Sequence, residues 1–161
     1  MRIYSILFML IAAVLQVNKS QAQIVSLGYK QQQKPMVQVS LNYPFILSAY
    51  SPFEFMVGVD YTTKNKAVPS GFVPQTTLHY YLVDSKRYNY LLAVGAGAGY
   101  MFDFNSNHEN QIRISPHLYL EYSAILNLRV GYDVMFPNNR GYPFISIGIG
   151  GLHGFRHMKW M

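Results

Sequence analysis

Apolar and polar residues alternate along this chain with a period of two from Ile24 almost to its end, and that period predicts β-strands. Segment 24–30 places Val25, Leu27 and Tyr29 on one face, and segment 36–45 does the same with Val37, Val39, Leu41 and Tyr43. Segment 53–61 is the cleanest, setting Phe53, Phe55, Val57, Val59 and Tyr61 against Glu54, Met56, Gly58 and Asp60. Segment 75–83 sets Leu78, Tyr80 and Leu82 against Thr77, His79 and Tyr81. In 88–102, Tyr88, Leu92, Val94, Ala96, Ala98 and Tyr100 alternate with Asn89, Ala93, Gly95, Gly97 and Gly99. Segment 111–122 sets Ile112, Ile114, Leu118, Leu120 and Tyr122 against Arg113, Ser115, His117, Tyr119 and Glu121. Leu128, Val130, Tyr132 and Val134 oppose Asn127, Arg129, Gly131 and Asp133 in 126–136, and Ile145, Ile147 and Ile149 oppose Ser146, Gly148 and Gly150 in 142–152.

Eight is an even number, and it lets both ends of an up-and-down barrel lie on one side. The connections alternate in length as well. Those at 62–74 and 103–110 are long and polar, those at 84–87 and 123–125 are tight, and 137–141 is intermediate. Long loops on one side and short turns on the other are what a closed antiparallel barrel in a membrane requires. The first connection is short for an outer loop and the one near 48–52 is long for a turn, so the register there is the least determined.

Alternation alone does not say which face points outward. A soluble lipocalin-like barrel would bury the Val/Leu/Tyr face around a ligand. Three features favour the opposite. The apolar face carries no charge on any segment, as expected where a charge at mid-bilayer costs about 2–4 kcal/mol. The other face is poor in Lys and Glu, so it makes an unconvincing solvated surface. The aromatics Tyr29, Tyr43, Phe53, Tyr61, Tyr88, Tyr100, Tyr122 and Phe136 fall near segment ends, where interfacial girdles sit. The expected fold class is therefore all-β, a single closed antiparallel eight-stranded transmembrane β-barrel.

The chain start adds an address. Arg2, a 13-residue apolar run over 3–15 and the ending Ser20-Gln21-Ala22 read as a signal peptide over 1–22, with the mature barrel domain at 23–161 beginning at Gln23. The run is too short for a membrane-spanning helix. With no cysteine, neither disulfides nor a lipidated cysteine anchor are available. Charged residues are 12% of the chain, against 14 Tyr and 10 Phe. The net charge of +6 is diffuse, and no nucleic-acid patch emerges.

Inward positions hold Glu54, Asp60, His79, Arg113, His117, Glu121, Arg129 and Asp133. An eight-stranded barrel encloses just enough room for side chains, so these read as a structural network of ion pairs plugging the lumen, ahead of a proton or solute path. If 123–125 is a three-residue turn, Tyr122 pairs with Leu126, and Glu121–Arg129 and Arg113–Asp133 become diagonal ion pairs. Gly95, Gly97 and Gly99 lack the spacing and helix of a dinucleotide loop and read as relief of crowding inside the barrel. His153 and His157 on a strand stand too far apart to share a metal. His79, Asp84 and Ser85 suggest a hydrolase set, yet His79 sits mid-strand facing inward while the other two fall in a turn. No catalytic, metal or cofactor site is expected.

The whole mature chain resembles the small outer-membrane barrels typified by OmpA and OmpX transmembrane domains. Its Ala22-Gln23 junction and Tyr/Gly-rich segment 88–102 are similar to exported barrels of Bacteroidetes, including the TraO-type barrels of conjugative elements. The resemblance implies an outer-membrane location, lipid and the barrel-insertion machinery as partners, and an extracellular partner for the loops at 62–74 and 103–110. It departs in the ending Lys159-Trp160-Met161, where such barrels carry a final aromatic. The expected function is a non-enzymatic structural or surface-interaction barrel. The alternatives are a conjugation or secretion component, an outer-membrane lipid-modifying enzyme and the soluble ligand-binding barrel.

Overall fold

The computed structural model describes residues 24–45, 51–104, 109–123 and 125–153. The signal segment, the junction at Gln23, the tip of the 103–110 loop, Ala124, His157 and the ending Lys159-Trp160-Met161 lie outside the described residues. Within them run β1 (Ile24–Gln31), β2 (Pro35–Phe45), β3 (Phe53–Thr62), β4 (Gly71–Ser85), β5 (Tyr90–Asp103), β6 (Gln111–Tyr122), β7 (Leu126–Phe136) and β8 (Arg140–Ile149). Each strand pairs antiparallel with its neighbour in sequence, and β8 pairs with β1 to close the barrel.

The period of two decides the two surfaces. Apolar residues such as Val39, Val57, Leu78, Val94, Ile114, Val130 and Ile147 face out, and the intervening residues fill the lumen. The strand ends Gln31/Pro35, Thr62/Gly71, Asp103/Gln111 and Phe136/Arg140 gather at one end, here the loop rim. The strand ends Phe45/Phe53, Ser85/Tyr90 and Tyr122/Leu126 gather at the other, the turn rim, together with residues 150–153.

Several boundaries differ from the sequence reading. β4 starts at Gly71 rather than Gln75, because Pro74 breaks less than a strand proline suggests. It stays in register opposite Val59 on β3, while on the β5 side the pairing lapses at Val73 and Pro74 and resumes unchanged at Gln75. β4 also runs on to Ser85 through a register shift between Tyr81 and Val83. β5 starts at Tyr90, after a turn with Asn89 at φ 47. β8 stops at Ile149, because Gly150 adopts a φ of +107 and swings the chain off the wall. The hairpin joining β6 and β7 has the expected register, with Tyr122 opposite Leu126 and Glu121 opposite Asn127.

The lumen is stratified. Met36, Val68, Val73, Met101, Met135 and Tyr142 form an apolar cluster at the loop rim, with Val68 folding in from the 63–70 connection. Met56, Tyr81, Leu91, Ala93, Tyr119 and Leu152 form a second one towards the turn rim, with Leu152 entering from beyond β8. Between them lies a polar, ionised layer.

Candidate functional site

That polar layer is the densest chemistry in the barrel. Strand β6 supplies its spine, because every inward position from Gln111 to Glu121 carries a polar group: Gln111, Arg113, Ser115, His117, Tyr119 and Glu121. Near the loop rim, Asp133 of β7 accepts from Lys30 Nζ at 2.6 Å, Gln32 Nε2 at 2.6 Å and Ser115 Oγ at 2.7 Å. Lys30 also stands 4.3 Å from the Phe144 ring centroid. Across the lumen, Arg113 donates to Asp60 at 2.9 Å and to Gln75, and Gln38 adds a second bond to Asp60 at 3.1 Å. Two cations and two carboxylates thus neutralise one another, all four of them buried.

Arg129 is the poorly held cation of this layer. Its Nη2 reaches Ser40 Oγ only at 3.5 Å, and its Nε is buried without a hydrogen-bond partner. It lines a cavity of about 20 Å³ with Asp60 and Arg113, each of which also leaves one buried polar atom unbonded. A second cavity, of about 30 Å³, lies between Arg129, His79 and Tyr119. Spaces of that size hold a water or two and nothing larger.

Below Arg113 two histidines meet. His79 on β4 and His117 on β6 flank Gly95 of β5 in one row, and their Nε2 atoms lie 3.0 Å apart over the glycine. A carbonyl oxygen only accepts, so the 2.9 Å contact of His117 Nδ1 with Ser115 O puts the proton on Nδ1. The His117 Nε2 lone pair then receives the His79 Nε2–H, leaving His79 Nδ1 buried and unbonded. Lower still, Glu121 accepts from Tyr119 Oη at 2.7 Å and from the backbone amides of Leu152 and His153 at 2.6 and 3.1 Å. Tyr81 Oη donates to Glu54.

All eight residues expected in the lumen lie there: Glu54, Asp60, His79, Arg113, Glu121 and Asp133 are buried, and His117 and Arg129 half-buried. Their pairing differs from expectation. Glu121 is bonded to Tyr119 and to residues 152 and 153 rather than to Arg129, and Asp133 holds Lys30 while Arg113 holds Asp60. The hairpin register holds, with Glu121 opposite Asn127, but adjacent strands alone do not set the pairing. In so narrow a barrel a side chain also reaches strands that it does not pair with: Asp133 passes over β8 to β1, and Arg113 crosses to β3. Lys30 escaped notice, although it shares parity with Ser26 and Gly28 on the inward face of β1.

Asp84 and Ser85, expected in a turn, are the last residues of β4, paired with Leu91 and Tyr90, and they meet a different histidine from the one considered. His153 Nε2 lies 3.2 Å from Ser85 O and 3.8 Å from Asp84 Oδ1, while His79 stays with His117. Among the described residues no three His, Asp or Glu side chains gather as metal ligands.

No family model matches this chain, and no curated protein matches it. Among solved structures, one described as "De novo design of transmembrane beta-barrels" is similar over 83% of this chain and 97% of that one, at 16% identity and a TM-score of 0.47. A likeness of that size adds nothing to the closed barrel already defined by the strand ladders.

Proposed function

We propose that this protein is a membrane-spanning β-barrel of the outer membrane, OmpA/OmpX-like in build, with a structural or surface-interaction role and no catalytic one. The observation that carries the reading is the reversal of the usual distribution of polarity. Each of the eight strands carries outward Val, Leu, Ile, Phe or Tyr side chains exposed by 36–60%, around the whole girth. Inside lie Lys30, Glu54, Asp60, Arg113, Glu121, Arg129 and Asp133. The charged strand residues left at least partly outside, Asp84, Asp103 and Arg140, stand at strand ends, and the other exposed charges lie in the connections. In water such a wall far exceeds the apolar patch that a soluble monomer exposes, whereas hydrocarbon solvates it, and the closed ladder leaves no strand edge unpaired there.

Aromatic pairs at both ends fit an interfacial position. Tyr43, Phe45 and Phe55, with Phe53 and Tyr80, pack ring to ring towards the turn rim, and Tyr100, Phe102 and Phe72 do so towards the loop rim. From Phe53 to Tyr61 the wall rises roughly 20 Å at a tilt of about 40°, close to the apolar band of bacterial barrels. The signal-like segment 1–22 and the resemblance to exported barrels favour the outer membrane over any other.

Two measurements test this. The protein should sediment with outer membranes, and in SDS gels the unboiled sample should migrate differently from the boiled one. Recovery as a soluble monomer without detergent would refute the reading.

A further inference from the structure

We propose that the loop rim over β1–β4 is a docking surface for phosphate-bearing head groups of anionic lipids, with Lys34, Lys64 and Lys66 as its contacts. This rests on the membrane reading and adds a partner to it. The three lysines lie on two connections joined to each other. Thr63 N donates to Val37 O and Val37 N to Thr63 Oγ1, both at 3.0 Å, and Asn65 Nδ2 donates to Lys34 O at 3.3 Å. The sequence Lys64-Asn65-Lys66 turns its middle residue in and both lysines out: Asn65 is 5% exposed, and all three lysines are exposed.

The surface is preorganised. Asn65 N donates to Ser70 Oγ at 2.7 Å and Ala67 N to Asn65 Oδ1 at 2.9 Å, while Val68 and Ser70 are fully buried beneath it. A cationic loop held in place loses little conformational entropy on binding. Its charge is also uncompensated. Neither connection contains Asp or Glu, and among the described residues none of the three lysines forms an ion pair. Asp103, on a neighbouring strand, turns its Oδ1 to the Ser70 amide.

Height supplies the choice of partner. Lys34 lies just beyond the last pair of the first hairpin, Gln31 opposite Pro35, and so stands level with Gln32, three residues above Tyr29. Lys64 is three residues beyond Tyr61, and both therefore stand roughly 8 Å beyond the loop-rim aromatics. That is head-group depth, where long lysine stems lie along the wall and ammoniums meet phosphates. The turn rim offers no equal, since its exposed Lys86 and Arg87 follow within three residues of the acidic Asp84, whose side chain is 20% exposed.

The test is spin-label electron paramagnetic resonance on protein reconstituted in phosphatidylcholine vesicles. The association of spin-labelled phosphatidylglycerol is compared with that of spin-labelled phosphatidylcholine. For the native protein the ratio should exceed one by about two- to fivefold, the larger figure matching one lysine at an anionic surface. It should fall towards one in Lys34→Gln/Lys64→Gln/Lys66→Gln and survive in Lys86→Gln/Arg87→Gln. Inorganic phosphate at 10 mM should compete poorly, as a lipid site demands. An unchanged ratio in the triple variant, or full competition by free phosphate, would overturn the lipid site while leaving the barrel in the membrane. A protein that never enters the vesicles would overturn both.

Discussion

At the scale of single residues, Gly95 shows how the lumen was made to fit. A Cβ there would lie 2.3 Å from His79 Cδ2 and 2.9 Å from His117 Nε2, whereas at Gly97 the nearest atom is Thr77 Oγ1 at 3.5 Å. Gly95→Ala should therefore cost about 1–3 kcal/mol by forcing two buried rings apart. Gly97→Ala should be neutral or stabilising by about 0.5 kcal/mol through the chain entropy that glycine loses in a strand. Urea unfolding in lipid vesicles compares the two, and equal costs would mean that the histidines give way freely. Sequence parity put both glycines in the lumen, but it could not tell them apart. That distinction depends on what stands opposite on β4 and β6. The ion pairs were hidden for the same reason. Parity gave Arg113 and Asp60 the same side of the wall, and only closure of the barrel brings β6 and β3 face to face. A double-mutant cycle on Asp60→Asn and Arg113→Met should show strong coupling, with either single change costing about 3–5 kcal/mol because it strands a buried charge. The same cycle on Glu121 and Arg129, expected from the hairpin alone to be coupled, should give a value near zero.

At the scale of elements, the strand cores were legible because a period of two survives wherever one face is apolar and the other is not. The ends were not legible, since Pro74 and Gly71 carry the residue signature of a loop while the ladder carries them as strand. Nor did any pattern reveal that the chain beyond β8 leaves the wall. That departure is local chemistry: Gly150 turns, its amide bonds to Ile125 O at 2.7 Å, and Glu121 gathers the next amides. A Cβ at 151 would lie 2.1 Å from the Glu121 carboxylate, so a larger residue there would have to displace that side chain from its amide partners. The Leu152 and His153 amides should thus be protected from hydrogen exchange, and Glu121→Ala should release them while the β1–β8 ladder stays protected. Fast exchange of both amides in the native protein would show that the strap is not closed. The wall makes its own prediction on β3. Val57 is 42% exposed at mid-height. In a bilayer Val57→Arg should cost about 2–4 kcal/mol, far more than Val57→Ala. Equal folding yields of the two variants in vesicles would put that face in water.

At the scale of the whole molecule, the two apolar clusters matter more than the charges between them. An ion entering from the loop rim meets Met36, Val68, Val73, Met101, Met135 and Tyr142, and one entering from the turn rim meets Leu152 against Tyr81 and Leu91. The clusters offer little beyond tyrosine hydroxyls to replace a hydration shell, and the cavities beyond them, of about 20 and 30 Å³, are water-sized. A charge forced through would have to shed most of its water at each cluster, which is costly. The polar layer, rich as it is in Arg and Asp, is then expected to act as a filling and not as a filter. Vesicles carrying the protein should accordingly hold a potassium gradient as long as protein-free vesicles do, and planar bilayers should show no unitary conductance steps. Both caps come from connecting segments, Val68 from 63–70 and Leu152 from beyond β8, so either could move without breaking a strand pair. That makes the measurement decisive. Steady conductance by the native protein would mean that both caps lift together, and the lumen network would then line a pathway.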